Sequence, residues 1–158
     1  MQPNSKASSR ALTNELGGVA DLCADTAADI MMEMAVKQGY AAPSSNSDEW
    51  KRARQMCANV LFHGLQAKSG LRHNLPTLYI EACLHPTIRW DKRRRLVGND
   101  ICDFNHASAA IAYCQAFFTE GPLKALLELK HHGLASDFRC RVASEMSEAL
   151  AVLDDLAR

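Results

Sequence analysis

The densest concentration of chemistry in the chain is the segment Asn99-Asp100-Ile101-Cys102-Asp103-Phe104-Asn105-His106-Ala107. On a helix that opens at Asn99, Asp100 and Asp103 share a face, and Asp103 falls in line with the apolar positions Ala107, Ala110 and Cys114. A carboxylate on a buried stripe needs a compensating partner. Two arrangements supply one: the positive end of the helix dipole, which both acids complement, or a divalent cation held by carboxylate oxygens. Glu120 favours the cation, because it follows the aromatic run 116–119, and ligands in open parallel sheets gather at the carboxyl ends of strands. His106 lies near the same edge of the helix as Asp103. It is expected to pack there or to support a metal-binding acid, and the position also allows general-base or phosphate-contact roles.

A second feature is the basic run Arg89, Lys92, Arg93, Arg94 and Arg95, the only strong charge run in the chain. It reads either as a solvated face or as a set of phosphate contacts. Glu81 is expected at the surface, with completion of an acidic site as its alternative role. His131-His132 suits the negative end of a helix and has no third ligand nearby. Tyr79, Tyr113, Phe117 and Phe118 fall at core spacings, so packing is preferred over base stacking for each.

The elements that must position these groups follow from periodicity. Leu12, Leu16, Val19, Cys23, Ala27, Ile30 and Met34 form the stripe of one long amphipathic helix that ends near Gln38, before Gly39 and Pro43. Residues 1–10, polar and Ser-rich, read as a disordered tail. Ser47, Asp48 and Glu49 open a second helix with Trp50, Ala53, Cys57, Val60 and Leu61 on its buried face, weakened by Gly64 or Gly70. Pro76 starts a short helix through Leu78, Tyr79 and Ala82 that Pro86 interrupts. After the Asn99 helix, Ala116-Phe117-Phe118-Thr119 reads as a short buried strand. Pro122 opens a helix with Leu123, Leu126 and Leu127 that runs to Gly133. Arg139 to Ala143 forms a second strand, and Ser144 caps a closing helix through Met146, Leu150, Leu153 and Leu156. This order predicts an α/β fold: a helical N-terminal region over 11–74, then, over 75–158, a small parallel sheet flanked by helices. The alternative is an all-α fold in which 137–156 is one helix.

Composition limits the function classes. The chain has 158 residues, about one domain's worth, and its 18 basic and 18 acidic residues cancel, so any electrostatic site must be local. Apolar residues at 47% and charged residues at 23% exclude a disordered chain. No apolar run reaches the ~20 residues of a bilayer span, and the opening residues lack a secretory signal, so a cytoplasmic protein without a membrane partner is expected. The six cysteines include no C-x-x-C pair, which argues against a zinc knuckle and for reduced core thiols.

The pattern Asn99-Asp-x-x-Asp-Phe-x-His-Ala-x-x-Ala110, followed by Tyr113-Cys114 and by Phe117-Phe118-Thr119-Glu120, resembles the C-terminal half of a PIN (PilT N-terminus)-like domain, over Pro76 to Leu156. The resemblance implies a PIN-like fold and a Mg²⁺- or Mn²⁺-dependent nuclease. Such a hydrolase commonly cleaves RNA phosphodiester bonds, and it is often the toxin of a toxin–antitoxin pair, with an antitoxin or other protein as partner. On this analogy Asp103 and Glu120 are the catalytic acids, Asp100, Asp103 and Glu120 hold the cation, and the basic run contacts RNA. Carboxylates suit that role because they bind oxygen-loving cations, which in turn offset the acids' repulsion of an anionic backbone. Two departures stand out: nothing between Met1 and Tyr40 resembles a first strand ending in Asp-x-Asn, and Gln115 stands where similar sequences carry an acid, while Glu120 stands where the family more often has Asp. The resemblance therefore implies a truncated or degenerate member. The competing reading is a catalytically inactive helical module for protein interaction or regulation, docking through its long first helix.

Overall fold

The structure is a computed structural model that describes residues 5–41, 43–45, 47–67, 70–90, 98–129 and 133–158. Helix α1 (Ser5–Lys37) begins earlier than the expected Leu12. It ends where Gly39 takes the left-handed conformation (φ 91°), which lets the Gly39 and Tyr40 amides reach back to the carbonyls of Val36 and Ala35 at 2.9 and 3.1 Å. Its buried line is Leu16, Ala20, Ala24 and Ala28, a strict four-residue step, while Ile30 and Met34, expected inside, are exposed. Small side chains on the contact line allow close approach of a second helix, so the alanines take the interior and the larger residues turn outward.

That second helix, α2 (Asp48–Gln66), starts where the Ser47 hydroxyl accepts the Trp50 amide at 3.2 Å, as a hydroxyl cap should. Ala53 and Leu65 are its buried residues, and Val60, expected inside, is exposed. The α1–α2 pair is pinned by polar contacts on one line of α1: Arg54 is ion-paired with Asp21 at 3.0 Å and with Asp25, and the Trp50 indole donates to Asp29 at 3.3 Å.

A one-turn helix, α3 (Leu71–Asn74), leads into α4 (Pro76–Trp90). Pro76 occupies the first helical position as expected, but Pro86 lies inside the helix rather than ending it. Buried Ile80, Ala82, Cys83 and Leu84 hold the helix against the core, and that packing outweighs the lost amide hydrogen bond. Helix α5 (Gly98–Tyr113) packs on α4, and its Phe104, Ala107 and Ile111 are buried in the common core.

The strands follow. β1 (Ala116–Phe118) and β2 (Arg141–Ala143) pair in parallel, with Ala116 beside Arg141, Phe117 beside Val142 and Phe118 beside Ala143. Between them lie α6 (Gly121–Leu127), shorter than expected, and the one-turn helix α7 (Leu134–Asp137), which the sequence pattern did not suggest. A left-handed Arg139 (φ 56°) turns the chain from α7 into β2. Helix α8 (Met146–Leu156) closes the described chain, with Glu145 rather than Ser144 at its N-cap. The protein is thus α/β with little sheet: a helix-rich N-terminal part followed by a two-stranded parallel sheet flanked by helices. One hydrophobic core runs through both parts, from Leu16 and Leu65 through Ile80, Phe104 and Ile111 to Leu127 and Leu134. Among the described residues no helix is long and apolar enough to cross a membrane.

Candidate functional site

Helix α5 delivers the candidate acids. Asp100, in its first turn, is 8% exposed, Asp103 is half-buried, and both carry polar interactions with neighbouring groups. The helix spacing does place Asp103 beside the buried Phe104 and Ala107. His106, by contrast, is exposed. Further along the helix, buried Ser108 donates to the Glu81 carboxylate at 3.3 Å and also contacts the Asn105 carbonyl at 3.0 Å, so Glu81 is half-buried and ties α4 to α5.

Glu120 stands where β1 has ended and α6 begins. It is exposed and forms the N-cap of α6 through its backbone, the Lys124 amide donating to its carbonyl at 3.0 Å. Next to it the Thr119 amide donates to the Ala143 carbonyl at 2.9 Å, which extends the sheet ladder to the last residue before the acid. Glu120 is therefore at the carboxyl end of a parallel strand, as the sequence suggested.

The same end of the sheet holds an ion pair that sequence reasoning did not single out. Lys124 on α6 meets Glu148 on α8 at 2.7 Å, and the other oxygen of Glu148 accepts the Ser144 and Glu145 amides at 3.0 and 3.3 Å. The Lys124 ammonium and then these two amides hold the Glu148 carboxyl far below its usual range, at about 2. The acid three residues after the Glu145 cap was the available signal for the contacts of Glu148 with the amides, though not for its pairing with Lys124. A second missed cluster joins α3, α4 and α7. Arg72 lies 3.3 Å from Asp137 and over the Tyr79 ring at 5.6 Å, with its Nε buried and without a hydrogen-bond partner among the described residues. Burial pushes the neighbouring Tyr79 hydroxyl and Cys83 thiol each up to about 12, so both stay neutral. Nothing in the local sequence marks Arg72 and Asp137 as partners.

A carboxylate metal centre needs several acids around one point. Among the described residues no three side chains of His, Cys, Asp or Glu are grouped to hold a metal ion, so Asp100, Asp103 and Glu120 are not gathered into a three-ligand site. Of the basic run, Arg89 lies in α4, while Lys92, Arg93, Arg94 and Arg95 are outside the described residues, as are His131 and His132. Compared with known proteins, the chain matches no family model, no curated protein and no solved structure.

Proposed function

We propose that the chain is a degenerate member of the PIN-like metal-dependent ribonucleases, with weak affinity for Mg²⁺ or Mn²⁺ through Asp103 and Glu120 and slow RNA cleavage at best. The observation that carries this reading is the placement of Glu120 directly at the carboxyl end of β1, beside a parallel β2, after a helix that bears Asp100 and Asp103. The run Arg89 to Arg95 would contact RNA phosphates in this reading. Magnesium keeps several waters and is held by as few as one or two carboxylates, which is enough for weak binding. Positioning a nucleophilic water on a phosphodiester asks for the full acidic cluster. Because Asp100 and Asp103 already interact with neighbouring groups, a cation must compete with or join those contacts, which lowers its affinity further.

The test combines metal-dependent thermal shift with RNA cleavage, using Asp103→Ala and the isosteric Asp103→Asn. Millimolar Mn²⁺ should raise the Tm of the parent chain and leave both variants unmoved, since a ligand that binds only the folded state must stabilise it. RNA cleavage should be slow or undetectable. Fast metal-dependent cleavage lost in Asp103→Asn would show a complete site and overturn the degenerate reading. No thermal response to either metal would overturn the metal site altogether and leave the interaction module as the better account.

A further inference from the structure

The strand register brings together two cysteines that are distant in sequence. All six cysteines are free; Cys114 is exposed and Cys140 is only 4% exposed. Cys114 is the first residue beyond α5, and Cys140 immediately precedes β2. Ala116 pairs with Arg141, and the Arg141 amide donates to the Gln115 carbonyl at 2.9 Å, so Cys140 lies alongside Gln115 with Cys114 one residue further back. Cys114 closes the last turn of α5 two residues before β1 begins, and Cys140 is the residue before β2, so the two cysteines stand on adjoining segments at one edge of the sheet. A disulfide asks for Cα atoms ~4.4–6.8 Å apart, which only neighbouring segments such as these can meet.

An independent contact locates the buried sulfur. The Ala110 carbonyl, in the last turn of α5, accepts the Cys114 amide at 2.8 Å and also the Cys140 thiol at 3.7 Å. The Cys140 sulfur therefore sits against the same carbonyl that anchors the Cys114 backbone. Burial first, and the neighbouring Cys114 second, push the Cys140 thiol up to about 11. The other exposed cysteine, Cys102, is near the opposite end of α5, ~18 Å away along the helix.

We propose that Cys114 and Cys140 form a redox-active thiol pair at the amino-terminal edge of the β1–β2 sheet, which a hydroperoxide converts to an intramolecular disulfide. The exposed Cys114 thiolate attacks one oxygen of hydrogen peroxide; the O–O bond breaks, the departing hydroxide takes a proton to become water, and Cys114 becomes a sulfenic acid. The Cys140 sulfur then attacks the Cys114 sulfur, the S–O bond breaks, and the hydroxide leaves as water with the Cys140 proton. Two thiols lose two electrons and one peroxide becomes two waters. The bridge closes the loop that contains β1, α6 and α7 and ties the end of α5 to the start of β2, which restricts the unfolded chain.

The full reduced chain is treated with a small excess of hydrogen peroxide, remaining thiols are alkylated, and the intact mass and the disulfide-linked peptides from cleavage after acidic residues are read. The expected result is a monomer with two fewer alkylated thiols, a linked Cys114–Cys140 peptide, and a Tm raised by roughly 5 °C or more that dithiothreitol reverses. The loss of two thiols should persist in Cys102→Ser and vanish in Cys114→Ser, a change at an exposed position that leaves the core untouched. A bridge between other cysteines, an unchanged loss in Cys114→Ser, a dimer linked through Cys114, or no reaction with peroxide would each overturn the proposal.

Discussion

Glu148 shows how a single carboxylate is tuned. Its contacts with Lys124 and with the Ser144 and Glu145 amides all favour the ionised form, which is why its carboxyl titrates at about 2 rather than 4.5. A depressed folded-state value means that the contact stabilises the fold fully above the unfolded value and is lost as the pH falls through the folded one. The Tm difference between the parent chain and Glu148→Gln should therefore be full at neutral pH and shrink between about pH 4.5 and 2. Thermal melts across that range check this; a constant difference would mean that Glu148 acts through packing. At this scale the sequence was informative about Asp100 and Asp103, because a fixed helical spacing decides which residues share a face. It was silent about Lys124–Glu148 and Arg72–Asp137, because each pair depends on two separate elements arriving at one place.

At the scale of elements, two glycines in long helices make opposite predictions. Gly18 in α1 has open space where a Cβ would stand, so Gly18→Ala should gain the ordinary helix advantage of alanine, about 0.5–1 kcal/mol. Gly64 in α2 faces Leu71 of α3, and a Cβ there would lie 2.1 Å from Leu71 Cδ2 and 3.2 Å from both its Cβ and Cγ. The overpacking cost, ~1–3 kcal/mol, exceeds that helix gain, so Gly64→Ala should be net destabilising by about 1 kcal/mol. Urea denaturation of the two variants reads both signs; a stabilised Gly64→Ala would mean that α3 shifts away without cost. The sequence marked Gly64 only as a weak point near the end of its helix and did not single out Gly18. Their difference arises from α3, whose single turn has no periodicity to detect.

At the scale of the molecule, the apolar stripe of α6 lies in the core as its periodicity proposed, but that of α8 lies on the surface. Leu127 on α6 is fully buried in the common core, whereas Met146, Leu150, Leu153 and Leu156 of α8 are all exposed, Leu150 at 56%. Helix α8 packs on β2 by its other face, and Arg141 at the start of that strand reaches Asp155 at 2.6 Å. Leu127→Ala should cost about 2–5 kcal/mol, and Leu150→Ala should stay within about 0.5 kcal/mol. Equilibrium unfolding of the isolated chain distinguishes them; a large loss in Leu150→Ala would show that the α8 face is covered in solution.

Alternating helix and strand signals, with β-compatible residues at 116–119 and 139–143 bounded by glycine, proline and caps, determined that a small parallel sheet would follow a helical first half. The structure has a strand within each run, at 116–118 and 141–143, the second shortened because Arg139 takes the left-handed conformation. Local chemistry also fixed the start of α2 at Ser47, because capping is a contact between near neighbours. Which face of each amphipathic helix is interior was decided only in the folded chain. The stripe on α8 and the stripe on α1 look alike in sequence, but a two-stranded sheet is too narrow to cover every apolar face, and the close α1–α2 contact selects alanines over larger residues. The gathering of Cys114 with Cys140, and the separation of the acids into fewer than three at one point, are likewise products of register and helix docking, which no spacing along the chain encodes.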